Sequence, residues 1–312
     1  MREFRIGTRE SRLAMWQAQW VAGRLREICP GISVSLVGIK TKGDNILDSA
    51  LAKIGDKGLF TRELETALIN KEVDMAVHSM KDLPTVLPCG IALAAICRRE
   101  YPGDVLVSKR GGISELPRGS VIGTSSLRRI AQIKRFRPDL QMVNVRGNLI
   151  TRLRKLDTES MDALILAYAG IVRLGFKERI TELVPFEVSL PAVGQGSVGV
   201  EAREDDQELL QMLKTLDHGP SRIAVTTERS LMRRLEGGCQ IPVGALAIYD
   251  GDEIMLEAMV ADLDGKMMIR SSMSGPSADP EGLGIRLAEA MLAEGAGEIL
   301  KKVRQEFDVD VR

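Results

Sequence analysis

The 312-residue chain has no excess charge of either sign, since 43 lysines and arginines face 43 aspartates and glutamates. That argues against a general nucleic-acid binder, which advertises itself by a basic excess. Aromatic residues make up only 4% of the chain, leaving few platforms for stacking single-stranded bases. No apolar run approaches the ~18 residues needed to cross a bilayer. The opening MREFRIGTRE is charged within three residues and lacks an apolar stretch before a small-residue cleavage site. The two histidines, His78 and His218, cannot build a three-histidine metal site, and no H-E-x-x-H occurs. The four cysteines, Cys29, Cys89, Cys97 and Cys239, match neither a thiolate metal motif nor a disulfide scaffold. The expectation is a cytoplasmic protein with no metal, nucleic-acid or membrane partner.

What is present is globular, 44% apolar and 28% charged, with length for two domains, or three small ones. The first hundred residues alternate strand and helix. Strands are expected at 3–8, 32–39, 73–77 and 90–97, and helices at 14–28 and 60–70, the second with Thr61 as N-cap. The apolar face of the first helix includes Ala18, Val21, Leu25 and Ile28. A second βαβ series follows, with strands at 104–108, 120–124, 141–146 and 162–170 and helices at 125–136 and 148–157. This rhythm predicts mostly parallel sheets covered by helices, with ligands at the carboxyl ends of strands. Beyond about residue 220 the pattern changes. Hairpin signals at Asp250-Gly251 and Asp264-Gly265 and a final helix within 280–303 predict a smaller α+β unit.

Residues 121–155 carry nine arginines or lysines against one acid, Asp139. In GTSSLRR, Thr124, Ser125 and Ser126 offer hydroxyls and free N–H groups at a helix start, with Arg128 and Arg129 one turn on. VRGN, with Arg146, repeats the logic at the next strand-to-helix turn. Such turns bind anions, and the planar arginine fork suits carboxylate and phosphate equally. Lys134, Arg135, Arg137, Arg154 and Lys155 read as solvated helix faces. In HSMKDLP (78–84), Lys81 and Asp82 share a tight turn after a strand, where a carboxylate can act as acid and base or stabilise a cation, or simply close an Asx turn before Pro84. His78 reads equally as a core histidine. Cys239, after two glycines, is a nucleophile, an attachment point, a metal ligand or a small buried hydrophobe. Lys53 and Lys57 sit in a glycine-bearing loop that is not a P-loop.

Seven ordered segments together resemble the porphobilinogen deaminase (hydroxymethylbilane synthase) family: IGTRESRLAMWQA (6–18), KGLFTRELE (57–65), DMAVHSMKDLP (74–84), VIGTSSLRR (121–129), VRGNLITRLRKLD (145–157), LPAVGQGSVGVE (190–201) and RLEGGCQIPVG (234–244). The resemblance implies two α/β domains like the lobes of type II periplasmic binding proteins plus a smaller α+β C-terminal domain. The boundaries would be 1–99 with 198–217, then 100–197, then 218–312. It implies a transferase of tetrapyrrole biosynthesis that condenses four porphobilinogens head to tail, elongating on a dipyrromethane cofactor held by thioether to Cys239.

By the same resemblance Asp82 is the catalytic acid/base. Lys81, Thr124, Ser125, Ser126, Arg128, Arg129 and Arg146 hold the cofactor, with Ser79 and Gln195 as lesser members. Arg9, Ser11, Arg146, Arg152 and Arg173 hold the substrate's carboxylates, and Lys53, Lys57 and Phe60 belong to a flexible loop. A monomer is implied. RREYPGDV (98–105) departs from the family's acidic-proline segment at Tyr101 and Gly103, so contacts at the interdomain crossing are expected to differ. A non-catalytic two-lobed anion-binding protein is the alternative, and Asp82 with Cys239 argues against it.

Overall fold

The computed structural model describes residues 2–45, 58–235 and 241–309. The chain opens with β1 (Glu3–Arg9), α1 (Arg12–Ile28), β2 (Ser33–Ile39), the short α2 (Lys42–Asn45), α3 (Arg62–Ile69), β3 (Met75–Ser79), a 3₁₀ turn at Met80–Asp82, and β4 (Ile91–Ile96). It crosses to β5 (Asp104–Ser108), β6 (Val121–Gly123), α4 (Leu127–Phe136), β7 (Gln141–Val143), α5 (Leu149–Thr158), β8 (Ala163–Ala167), α6 (Tyr168–Arg173) and β9 (Glu182–Leu183). It then returns through β10 (Val198–Arg203) and α7 (Gln207–Leu213). It ends with α8 (Gly219–Arg234), β11 (Val243–Asp250), β12 (Glu253–Ala261), β13 (Met268–Pro276), α9 (Pro280–Ala293) and α10 (Ala296–Val309).

Two five-stranded sheets have matching order, β2-β1-β3-β10-β4 and β7-β6-β8-β5-β9. In each, three parallel strands are followed by one antiparallel strand that enters from a crossing, and a last strand pairs antiparallel to it. This is the arrangement of two type II binding-protein lobes, although no sequence repeat reveals it. The third sheet, β11-β12-β13, is an antiparallel meander turned at the two Asp-Gly hairpins, and α8, α9 and α10 pack on it. The α+β expectation for the C-terminal part holds.

Helix α1 starts two residues before its apolar stripe because Ser11 Oγ accepts the Ala14 N–H at 3.3 Å, satisfying a donor at the helix start. Ala18, Val21 and Leu25 are fully buried in the first lobe's core, while Ile28 lies exposed at the helix end. Burying a side chain such as Leu25 is worth about 2 kcal/mol. Thr61 is the N-cap of α3 by position, as expected, although its side chain makes no cap bond. Two expectations are corrected. The apolar run 162–170 is not one strand, since it turns helical at Tyr168, and only Ala163–Ala167 joins the sheet. The final helix is two, broken at Gly295, whose φ of 103° ends α9.

The three parts are stitched at one place. Glu228 of α8, fully buried, accepts from Arg99 of the first crossing at 2.6 and 3.1 Å. It also accepts from the Gly194 N–H of the second crossing at 2.7 Å and from the Ala247 N–H of β11 at 2.9 Å. Lys134 and Arg135 are not merely solvated. Lys134 pairs with Asp264 at 2.8 Å, and Arg135 donates to the Gly265 and Lys266 carbonyls. This hairpin approaches α4 so closely that a Cβ at Gly265 would overlap the Ala131 carbonyl oxygen. At the departure noted in the first crossing, the Tyr101 ring packs edge-on to Tyr168 (centroids 5.2 Å) and beside Phe186 (5.5 Å). It lies where any Cβ on residue 103 would collide with it, so Tyr101 and Gly103 depend on each other.

Candidate active site

The parallel pairing of β1 with β2 and β3 brings Arg9 and the Ser79–Asp82 turn to one edge of the first sheet. In the second sheet, β6 and β7 end together at the same kind of edge, placing Thr124–Ser126 beside Val145–Arg146. Ser125 Oγ donates to the Val145 carbonyl at 2.6 Å, and Thr124 Oγ1 accepts the Ser126 N–H at 3.2 Å, so these hydroxyls shape the turn. Ser126 caps α4 by position, without a side-chain cap bond. The sequence brings cations to this end because both strands run straight into helices whose first turns carry arginine.

Across the cleft the charges form one connected set. Asp82 is half-buried and within electrostatic reach of Lys81 beside it and of Arg152 on the opposite lobe. Burial, with Arg128 and Arg129 nearby, pushes Lys81 down to about 8 even though Asp82 and Asp104 oppose the shift. Lys81 keeps part of its own surface open, but it stands in densely packed surroundings. Arg152 is pushed down to about 10 by burial and by Arg129 and Arg146, and it donates from Nε to the Gly147 carbonyl at 2.9 Å. Five cations (Lys81, Arg128, Arg129, Arg146, Arg152) thus surround two carboxylates, Asp82 and Asp104. Such an excess in a partly dry cleft calls for a ligand with several acid groups.

Asp104, the first residue of β5, was invisible as a functional residue in the sequence. It is fully buried and accepts from Arg128 at 2.9 Å, Arg129 at 2.8 Å, Gln195 at 2.8 Å and Ser189 at 3.2 Å. The two guanidinium groups hold its carboxyl well below the usual range, against its burial. Gln195 also accepts from Lys81 at 3.4 Å and donates to the Pro102 carbonyl at 2.7 Å. The only sequence signal was an acid opening a strand directly after the crossing.

Other expected site residues are placed as follows. Ser79 exchanges hydrogen bonds with Gln17 of α1, at 2.9 and 3.2 Å. Arg9 is paired with Asp44 of α2, with Nε 3.2 Å from Oδ2, and its guanidinium lies 4.1 Å over the Phe60 ring. Ser11 caps α1. Arg173 donates to the Gly196 carbonyl at 2.6 Å and stands over Trp16, so it touches the second crossing directly. Lys53, Lys57 and Cys239 lie outside the described residues. Cys97 is an inert core thiol, pushed up to about 12 chiefly by burial.

A dipyrromethane carrying acetate and propionate groups on both rings fits this cleft by charge. It also fits by an available donor: Arg129 Nε is buried and has no partner among the described residues. Comparison with known proteins agrees. Residues 4–211 match the family model described as "Porphobilinogen deaminase, dipyromethane cofactor binding domain", and residues 222–293 match "Porphobilinogen deaminase, C-terminal domain". The chain is 59% identical over 306 residues to the porphobilinogen deaminase of Pelotomaculum thermopropionicum, covering 98% of each sequence. It is 58% identical over 304 residues to that of Desulforudis audaxviator, covering 97% of this chain and 98% of the relative. Among solved structures, it resembles the periplasmic aliphatic sulphonate binding protein SsuA from Escherichia coli at 13% identity and TM-score 0.40, covering 75% of this chain and 70% of that one.

Proposed function

The chain belongs to the porphobilinogen deaminase family, and from that premise we propose how its cleft performs the reaction. The enzyme deaminates porphobilinogen and condenses four molecules of it head to tail into hydroxymethylbilane, in tetrapyrrole synthesis. The observation that carries the site reading is the connected cationic set around Asp82, which matches a growing chain of acetate- and propionate-bearing rings.

In this reading the dipyrromethane, attached by thioether to Cys239, supplies the free ring carbon from which the chain is extended. Arg128, Arg129, Lys81, Arg146 and the Thr124–Ser126 turn hold its carboxylates. Arg9, Ser11, Arg152 and Arg173 orient the incoming substrate, whose carboxylate competes with Asp44 for Arg9. Asp82 does the chemistry. When ammonia leaves the substrate's aminomethyl group, positive charge develops on that substrate, and the Asp82 carboxylate is the negative group placed to stabilise it. An Asp82 Oδ delivers a proton to the departing amine and takes one from the ring carbon after the bond forms. Arginines bound to carboxylates leave Asp82 as the charge that a substrate cation meets.

The free thiols of Cys29, Cys89 and Cys97 suit a reduced, cytoplasmic setting. Intact mass after denaturation tests the reading. The protein should exceed its chain mass by two pyrrole units, and Cys239→Ser should remove the addition. Acid aldehyde reagent should colour the wild type and not the variant. A protein at bare chain mass after exposure to substrate would sink the proposal.

A further inference from the structure

We propose that Asp104 is a positioning residue for cofactor capture, a resident counter-ion that turns Arg128 and Arg129 into a receptive pair and ties them to Lys81 through Gln195. The inference deepens the cofactor reading above and rests on it.

Two neighbouring guanidinium groups, their side chains only 5% and 6% exposed, would repel and have little water to compensate them. Asp104 lies between them, with one oxygen to each: Oδ2 to Arg128 and Oδ1 to Arg129. The remaining contacts fix the planes. Arg128 also donates to the Leu190 carbonyl and to Ser189, and Arg129 donates from Nη1 to the Ile165 carbonyl at 2.9 Å. Arg129 has then committed both terminal nitrogens to the protein and retains Nε, the buried donor without a partner among the described residues. Without the Asp104 carboxylate, the Ile165 carbonyl alone would hold the Arg129 fork, and one contact leaves it free to swing.

The same carboxylate is wired to both crossings. Asp104 directly follows the first crossing, and Gln195, in the second, spans Asp104 Oδ1 and Lys81 Nζ. Arginines of the second lobe are thereby registered against the lysine that adjoins Asp82 in the first. A polyanion gripped from both lobes needs that register, since misplacing a binding group by about 1 Å costs roughly 100-fold.

The test reads cofactor loading by intact mass, not turnover. Apoprotein of wild type, Asp104→Asn and Asp104→Ala is incubated with porphobilinogen, and the loaded fraction is followed over time on material shown by near-UV circular dichroism to be folded. Loading should fall roughly tenfold or more in both variants. Formate should restore it in Asp104→Ala and chloride should not, because a carboxylate offers a separate oxygen to each fork, as Asp104 does, whereas chloride offers a single centre. Loading of Asp104→Asn at the wild-type rate, or of Asp104→Ala without formate, overturns the proposal. If neither variant folds, Gln195→Met decides, since it cuts the link to Lys81 while leaving both ion pairs in place. Slower loading supports the coupling and unchanged loading refutes it. Wild type run alongside separates the two readings, because failure to load there would strike the cofactor assignment itself.

Discussion

Asp82→Asn keeps the side chain's shape and deletes its charge. Asp82 is half-buried, and its neighbours within electrostatic reach, Lys81 and Arg152, are cations that would themselves repel a substrate cation. A unit charge about 4 Å from a developing cation, at an effective dielectric near 20, is worth about 4 kcal/mol. That corresponds to roughly a thousandfold in rate, and loss of the proton shuttle adds to it. The fold should hardly notice. Lys81 also donates to Gln195, and a partly solvated pair contributes about 1 kcal/mol at most. Turnover of Asp82→Asn should therefore fall by about three orders of magnitude or more, with its melting transition near that of wild type. Asp82→Glu keeps the charge but shifts it, and should lose roughly 10- to 100-fold. The assay must compare equal loaded fractions, established by intact mass, and follow ammonia release together with additions of one, two and three substrate masses. Turnover of Asp82→Asn within about tenfold of wild type at equal loading would show that the reasoning about charge is wrong.

Two further outcomes are expected. Glu228→Gln should cost about 3–5 kcal/mol, because it leaves Arg99 buried without its counter-ion at the place where three parts of the fold meet; denaturant unfolding at wild-type midpoint would contradict this. Lys81 in the cofactor-free protein should titrate near 8. Its folded value lies below that of the unfolded chain, so as pH rises from about 8 to above 10 its burial penalty fades and the apoprotein gains stability. As Lys81 deprotonates, the five-cation set of the cleft loses a charge and should bind a tetracarboxylate more weakly, a dependence that Lys81→Met abolishes. Calorimetric titration at pH 7 and pH 9 checks both proteins.

Much of the architecture could be read directly because its signals are local. Alternation marked β2, a 3.6-residue stripe marked α1, and Asp-Gly pairs marked the turns of the C-terminal meander. Where the chain composition was ambiguous the reading slipped. The run ALILAYAG is apolar throughout, and nothing in it says that the strand stops at Ala167. Distant pairings were hidden for a different reason. Asp104 meets arginines 24 and 25 residues away, Glu228 meets Arg99 129 residues away, and Lys134 meets Asp264 130 residues away. No periodicity connects such partners. The arginines announced themselves at glycine- and serine-rich turns, whereas their counter-ion looked like the ordinary first residue of a strand.

The shared strand order has a consequence for synthesis on the ribosome. In the first sheet β10 lies between β3 and β4, yet it is translated about 100 residues after β4. At roughly 5–20 residues per second, the nascent amino-terminal half waits about 5–20 s with a gap in its sheet. Through that interval β4 has no neighbour in its sheet and β3 offers an unpaired edge, the kind of surface on which chains aggregate. The second sheet is spared much of this delay, since β5 is made before every strand it joins. Nascent-chain truncations ending before residue 198 should therefore be the ones that trigger-type chaperones retain, and those ending beyond 203 the ones they release.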